Sequence, residues 1–233
     1  MTSDPIIYLE DVVKRFPAGK GEFTALNKIT LSISKGEFTG LVGPSGSGKT
    51  TLLNIIGTLD APSSGTANVL GKHISTLSHR EAAGLRSRSI GFIFQTYNLL
   101  PVYSVYDNVD FALILQKIPQ ALRRKRVMES LEWVGLTGKY RSKPSELSGG
   151  ECQRVAIARA MVKLPQIVLA DEPSANLDSE NSHNIVQTMK RLNEELGTTF
   201  LFSTHDQKVM SYLKRIIHLR DGEVERDITT EIN

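Results

Sequence analysis

The chain has 233 residues, of which 40% are hydrophobic and 23% charged, the make-up of one ordinary globular unit with a sizeable core. A formal net charge of +3 gives no global reason for a nucleic-acid partner, and a single cysteine, Cys152, excludes an internal disulfide framework and suits a reducing compartment. Residues Met1 to Glu10 lack the basic start and apolar run of a secretion signal, and runs such as Phe111 to Leu115 fall far short of the roughly 18 residues a membrane span needs.

In chain order, Ile6 to Glu10 and the alternating Ile29, Leu31 and Ile33 predict an antiparallel β layer at the N-terminus. Phe38 to Val42 is a short unbroken apolar run, the pattern of a parallel strand buried on both faces. It leads directly into Gly43-Pro44-Ser45-Gly46-Ser47-Gly48-Lys49-Thr50, and Thr51 to Ile56 then reads as helix. This is the phosphate-binding loop pattern in its strand–loop–helix setting. Glycines let successive N–H groups turn inward toward phosphate oxygens, and the helix start adds partial positive charge. Lys49 is expected to reach the β- and γ-phosphates of a nucleotide, and the Thr50 hydroxyl to ligate Mg²⁺.

Ile90 to Phe94 predicts a further strand. Between about Leu99 and Met161 the pattern is mostly helical, with Val127, Leu131 and Val134 on one face of a helix over Ala121 to Val134. Residues 97–161 are therefore read as a helical subdomain inserted between 1–96 and 162–233. Ile167 to Ala170 is another buried strand, ending in Asp171-Glu172-Pro173. Side chains at the C-terminal ends of parallel strands line the ligand crevice. Asp171 is thus expected in the Mg²⁺ shell and Glu172 beside the γ-phosphate, polarising the attacking water. Pro173 predicts an extended exit from the strand, and Asp178 fits a helix N-cap. Strands follow at Thr199 to Phe202 and Ile216 to Leu219, and Asp221-Gly222 is a hairpin turn.

One stretch goes beyond phosphate-loop chemistry. Leu147-Ser148-Gly149-Gly150-Glu151, followed by Gln153-Arg154-Val155-Ala156-Ile157-Ala158-Arg159-Ala160, closely resembles the signature motif of ABC ATPases and the helix behind it. Other elements of that family stand in order. Gln95 resembles the Q-loop glutamine, Ser174-Ala175-Asn176-Leu177-Asp178 the D-loop, and His205 the switch histidine. Phe16 resembles the aromatic that stacks on adenine, although an aromatic in a β layer is as readily just packed.

The resemblance implies an α/β fold: a P-loop NTPase core of the RecA type, an N-terminal β layer and an inserted helical subdomain. It implies an ATP-hydrolysing subunit using ATP and Mg²⁺, with Glu172, His205 and Gln95 catalytic and Thr50, Asp171 and Gln95 toward the metal. Phe16, residues Gly43 to Thr51, Ser148, Gly149, Gly150, Glu151 and Asp178 are implied to contact nucleotide. Ser148, Gly149 and Gly150 form a second anion site at a helix start. Two copies placed head to tail then sandwich each ATP between one phosphate loop and the other signature, as a homodimer.

Asp171 to Asp178 is also similar to the D-E-P-T-G-N-L-D stretch of the lipoprotein-releasing, macrolide-exporting and cell-division branch, from which Ser174 and Ala175 depart. That branch implies a separate integral membrane permease and a peripheral position on the cytoplasmic face of the inner membrane. A non-transport cell-division or signalling complex stays open. A soluble member acting on DNA or ribosomes fits less well, since the chain has neither room for coiled coils nor a second cassette. Tyr97 to Val109 is the region such a permease engages, unless Tyr103 and Tyr106 only pack the lobe. Cys152 reads first as a tolerated small residue on an interface helix; a thiol near a helix start can also have a lowered pKa, and alkylation of Cys152 is then expected to obstruct dimer closure.

Overall fold

The computed structural model describes residues 5–19 and 21–229. The ends of the expected core, 1–4 and 230–233, lie outside the described residues, and with them part of the Met1 to Glu10 reading.

β1 (Ile7–Ala18) and β2 (Gly21–Ile33) form a long antiparallel hairpin. Ile7 and Leu9 are buried while Tyr8 and Glu10 face out, so one face of the strand supplies core. A register shift follows Leu9, at Asp11 with its positive φ of 49°, and bends the hairpin. β3 (Phe38–Val42) crosses into a second sheet, and α1 (Lys49–Ile56) follows it. β4 (Ser64–Val69) and β5 (Lys72–His73) return to the first sheet, whose order is β2-β1-β4-β5.

β6 (Ile90–Phe94), β7 (Ile167–Asp171), β8 (Thr199–Thr204), β9 (Arg215–Arg220) and β10 (Glu223–Thr229) complete the second sheet. Its order is β10-β9-β3-β8-β7-β6, parallel except for the β9–β10 hairpin. Because neighbouring residues of a strand point to opposite faces, these strands feed two apolar clusters at once. Leu41, Ile167, Leu169 and Leu201 join Ile7, Leu9 and Ile29 of the first sheet, with Leu52 and Ile56 of α1 between the layers. Phe38, Val168, Phe200 and Phe202 face the helices on the other side.

Those helices are α3 (Val105–Ile114), α4 (Gln120–Trp133), α5 (Gly149–Met161) and α6 (Ser179–Leu196), after an outlying α2 (His79–Ser89) and before a short α7 (Gln207–Met210). Val127, Leu131 and Val134 are buried on one side of α4 and its end, as their spacing predicts, at about 2 kcal/mol per side chain removed from water. α3 and α4 share one continuous cluster with α5 and the sheet, so the helical insertion rests on the core's own apolar face. α2 buries none of its side chains, and the Ser78–Glu81 capping box starts it.

Candidate nucleotide site

The loop between β3 and α1 is held from behind by the β9–β10 turn. The Gly222 N–H donates to the Ser47 carbonyl (3.3 Å), and the Asn27 N–H donates to the Gly222 carbonyl (2.8 Å). A Cβ on Gly43 would lie 2.1 Å from the Leu219 carbonyl oxygen, so only glycine lets the loop pass so close to β9. Gly48, at φ 98°, leaves the first turn of α1 without a side-chain cap, and the first N–H groups of the helix remain free of one. Lys49 is 8% exposed, and its ammonium donates to the carbonyls of Gly43 (2.8 Å) and Pro44 (2.9 Å). The Thr50 hydroxyl donates to Asp171 Oδ2 at 3.1 Å, which brings two hard oxygen donors together, the chemistry Mg²⁺ prefers.

Asp171 ends β7, paired with Ser203 of β8. Glu172 then takes φ 46° instead of the extended exit predicted from Pro173. Its N–H is drawn to the Ser203 carbonyl (2.9 Å), and its own carbonyl accepts from the Ala175 N–H (3.2 Å), which closes a turn. A left-handed non-glycine residue costs about 1–2 kcal/mol, and such strain gathers where side chains must be aimed. The Glu172 carboxylate Oε1 lies 2.7 Å from His205 Nδ1, so the two expected catalytic groups are partners.

A cavity of about 570 Å³ unites most of the predicted residues: 44–46, 48–51, Gln95, Glu172 and His205 line it. Ser203 is a further lining residue whose buried hydroxyl has no partner among the described residues, a polar atom left for a ligand. Gly43, Ser47 and Asp171 stand just behind this wall, in the loop and under Thr50. The aromatic at the cavity is Phe23, 55% exposed. Phe16 is its partner across β1–β2, does not line the cavity, and has the Lys14 ammonium 5.0 Å from its ring centre. Sequence reasoning missed Phe23; pairing the two halves of the hairpin was the signal that could have found it. A larger hollow of about 720 Å³, beside Arg154, Lys190 and Arg191, holds none of the predicted site residues.

The signature residues Ser148, Gly149, Gly150 and Glu151 do not line the nucleotide cavity; they form the start of α5. Ser148 Oγ accepts from the Glu151 N–H (3.3 Å), and Glu151 Oε2 accepts from the Ser148 N–H (2.9 Å). Lys139 at 2.6 Å, with that backbone bond, holds the Glu151 carboxyl below its ordinary pKa. A Cβ on Gly150 would lie 2.5 Å from Asn181 Oδ1, so a side chain there would require Asn181 to shift. Asp178 is the N-cap of α6 and accepts from the Asn181 N–H (2.9 Å), a bond that depresses its pKa. Asp178 does not line the cavity either. Cys152 does not have the lowered pKa that a helix start can give. Burial, then the Glu151 charge, push its thiol pKa up, and Sγ sits 3.7 Å from the Pro144 carbonyl.

Residues 26–175 match the family described as ABC transporter. The chain is 42% identical over 223 residues to the lipoprotein-releasing system ATP-binding protein LolD of Bordetella pertussis, covering 96% of each. It is 43% identical to the macrolide export ATP-binding/permease protein MacB of Burkholderia thailandensis over 97% of this chain but 34% of that one. Among solved structures, a dimeric post-hydrolysis state of the ATP-binding cassette MJ0796 bound to ADP and Pi superposes with a TM-score of 0.90 at 42% identity, over 97% of this chain and all of that one. With phosphate loop, acidic turn and signature helix in place, this chain belongs to the ABC transporter family, as one of its ATP-binding and ATP-hydrolysing cassettes.

Proposed function

We propose that two copies of the chain close head to tail around two ATP molecules and thereby drive a separate membrane permease in export, lipoprotein release or force transmission. The observation that carries this is the division of anion-binding surfaces within one chain. The phosphate loop lines the cavity, whereas the Ser148 helix start, which would offer a second anion site, lies outside it. A second copy is the economical way to bring a signature to the other face of the nucleotide. The dimeric cassette MJ0796 bound to ADP and Pi supports the same arrangement.

Within that sandwich, Lys49 and the loop amides would bind the β- and γ-phosphates, and Phe16 or Phe23 the adenine. Thr50, Asp171 and the Gln95 side chain would hold Mg²⁺, which supplies charge neutralisation on the phosphate oxygens. Glu172 would take the proton of the attacking water, and His205, 2.7 Å from its carboxylate, would orient it and face the γ-phosphate. Asp178 would serve both as N-cap and at the dimer contact.

Residues 97–161 would act as the arm that meets the permease. Val102, Tyr103 and Phe111 are exposed there, whereas Tyr106 packs inward. Among the described residues no helix is long and apolar enough to cross a membrane, and the chain spans only about a third of the ATP-binding/permease relative. The likeness to the ATP-binding protein of a lipoprotein-releasing system over 96% of each chain supports a peripheral subunit at the cytoplasmic face of the inner membrane. Glu172→Gln tests the chemistry: ATP is expected to bind with unchanged affinity while turnover falls at least a hundredfold. Turnover at the wild-type rate would remove Glu172 as the base.

A further inference from the structure

Resting on Glu172 as the base, we infer that Gln153 is a positioning residue that ties the signature helix to the catalytic turn of the same chain. Gln153 lies in the second turn of α5, five residues after Ser148, and is wholly buried. Its Nε2–H donates to the Pro173 carbonyl at 2.8 Å, the peptide oxygen immediately after Glu172. Its Oε1 is buried with no hydrogen-bond partner among the described residues. An amide kept in the core with one end unsatisfied is held there by what its other end does.

That end fixes the left-handed turn. The Glu172 N–H is tied to β8 through the Ser203 carbonyl (2.9 Å), and Ser174 Oγ reaches Asp206 beside His205 at 3.5 Å. The Pro173 carbonyl is tied to α5. Proline brings no N–H of its own, so this oxygen is the handle by which α5 can move the turn. In the head-to-tail pair, Ser148 grips the partner's nucleotide while Glu172 serves the chain's own. A shift of the α5 start on gripping phosphate then passes through Gln153 to the Glu172 carboxylate. Hydrolysis at one site thereby senses occupancy of the other.

The test uses Gln153→Met, which keeps the volume but cannot donate, and Gln153→Glu, which donates to the Pro173 carbonyl only when protonated. For Gln153→Met, kcat is expected to fall at least tenfold and the Hill coefficient for ATP to drop toward 1. The Kd for ATP should stay within twofold. A kcat within twofold of wild type, or a loss confined to ATP affinity, overturns the role. For Gln153→Glu, kcat relative to wild type is expected to rise as pH falls from 8 to 6, because the buried carboxyl protonates and restores the donor. A flat ratio overturns the role, and this variant decides alone if Gln153→Met does not fold. Glu172→Gln measured in parallel keeps the two ideas apart. Full turnover there would remove the base, whereas the Gln153 outcomes bear on the link.

Discussion

Gly43→Ala probes how closely the phosphate loop is pressed against β9. The added Cβ would stand 2.1 Å from the Leu219 carbonyl oxygen and 2.8 Å from Ser47 Oγ, where ordinary contact begins at 3.4 Å. Leu219 cannot retreat, because β9 is flanked by β3 and β10 in the sheet. The loop must therefore move outward by roughly 1 Å, at a cost of about 1–3 kcal/mol as for other overpacked sites. For a chain of this size that lowers Tm by about 2–12 °C. The same shift displaces N–H groups and the Lys49 anchor from phosphate. Loss of one charge-assisted hydrogen bond is worth about 1.5–3 kcal/mol, so ATP should bind about tenfold to a hundredfold more weakly. Calorimetric titration with ATP and a thermal scan measure both. Gly138→Ala serves as control, since a Cβ there meets nothing within 4 Å. Wild-type affinity and Tm in Gly43→Ala would refute the close approach.

Two further outcomes follow from buried groups. Burial lowers the Lys163 pKa from 10.5 to about 8, with its ammonium donating to the Arg86 carbonyl at 2.8 Å. The fold thus disfavours the charged lysine: its penalty is full below pH 8 and is relieved as pH rises toward 10.5. Between those limits stability should gain up to about 3 kcal/mol that Lys163→Met does not show, read from urea unfolding at each pH. A parallel pH profile in the variant would contradict it. Cys152, buried and with its pKa raised, should react with a maleimide at pH 7 more slowly than a free thiol. Modification at the free-thiol rate would show it to be open.

Much of the site was legible because each motif needs its place. The glycines of residues 43–48 mark the loop, and an apolar run marks the strand that delivers Asp171 and Glu172. The elements that escaped carry weak patterns. β4 buries only Ala67 and Val69 of its six residues, and α2 packs Leu85 against the core without burying it fully, its start being set by the Ser78–Glu81 box. The turn at Glu172 was misread because pre-proline preference is local, whereas the bond to Ser203 on β8 and the turn closed by Ala175 are not predictable from the dipeptide. Phe23 escaped for a similar reason. Which aromatic of the hairpin lines the cavity depends on register, and Phe16 and Phe23 are paired across it. For Cys152, nearness to a helix start suggested a lowered thiol pKa, whereas its burial and the neighbouring Glu151 charge raise it.

The division of phosphate-gripping surfaces between two chains is tested most directly by sedimentation of Glu172→Gln with and without Mg²⁺-ATP, alone and combined with Ser148→Arg. The single variant should be monomeric without nucleotide and dimeric with it, and the double variant should bind ATP yet stay monomeric. A single variant that remains monomeric when saturated with ATP, or a double variant that dimerises as readily, would contradict the shared site.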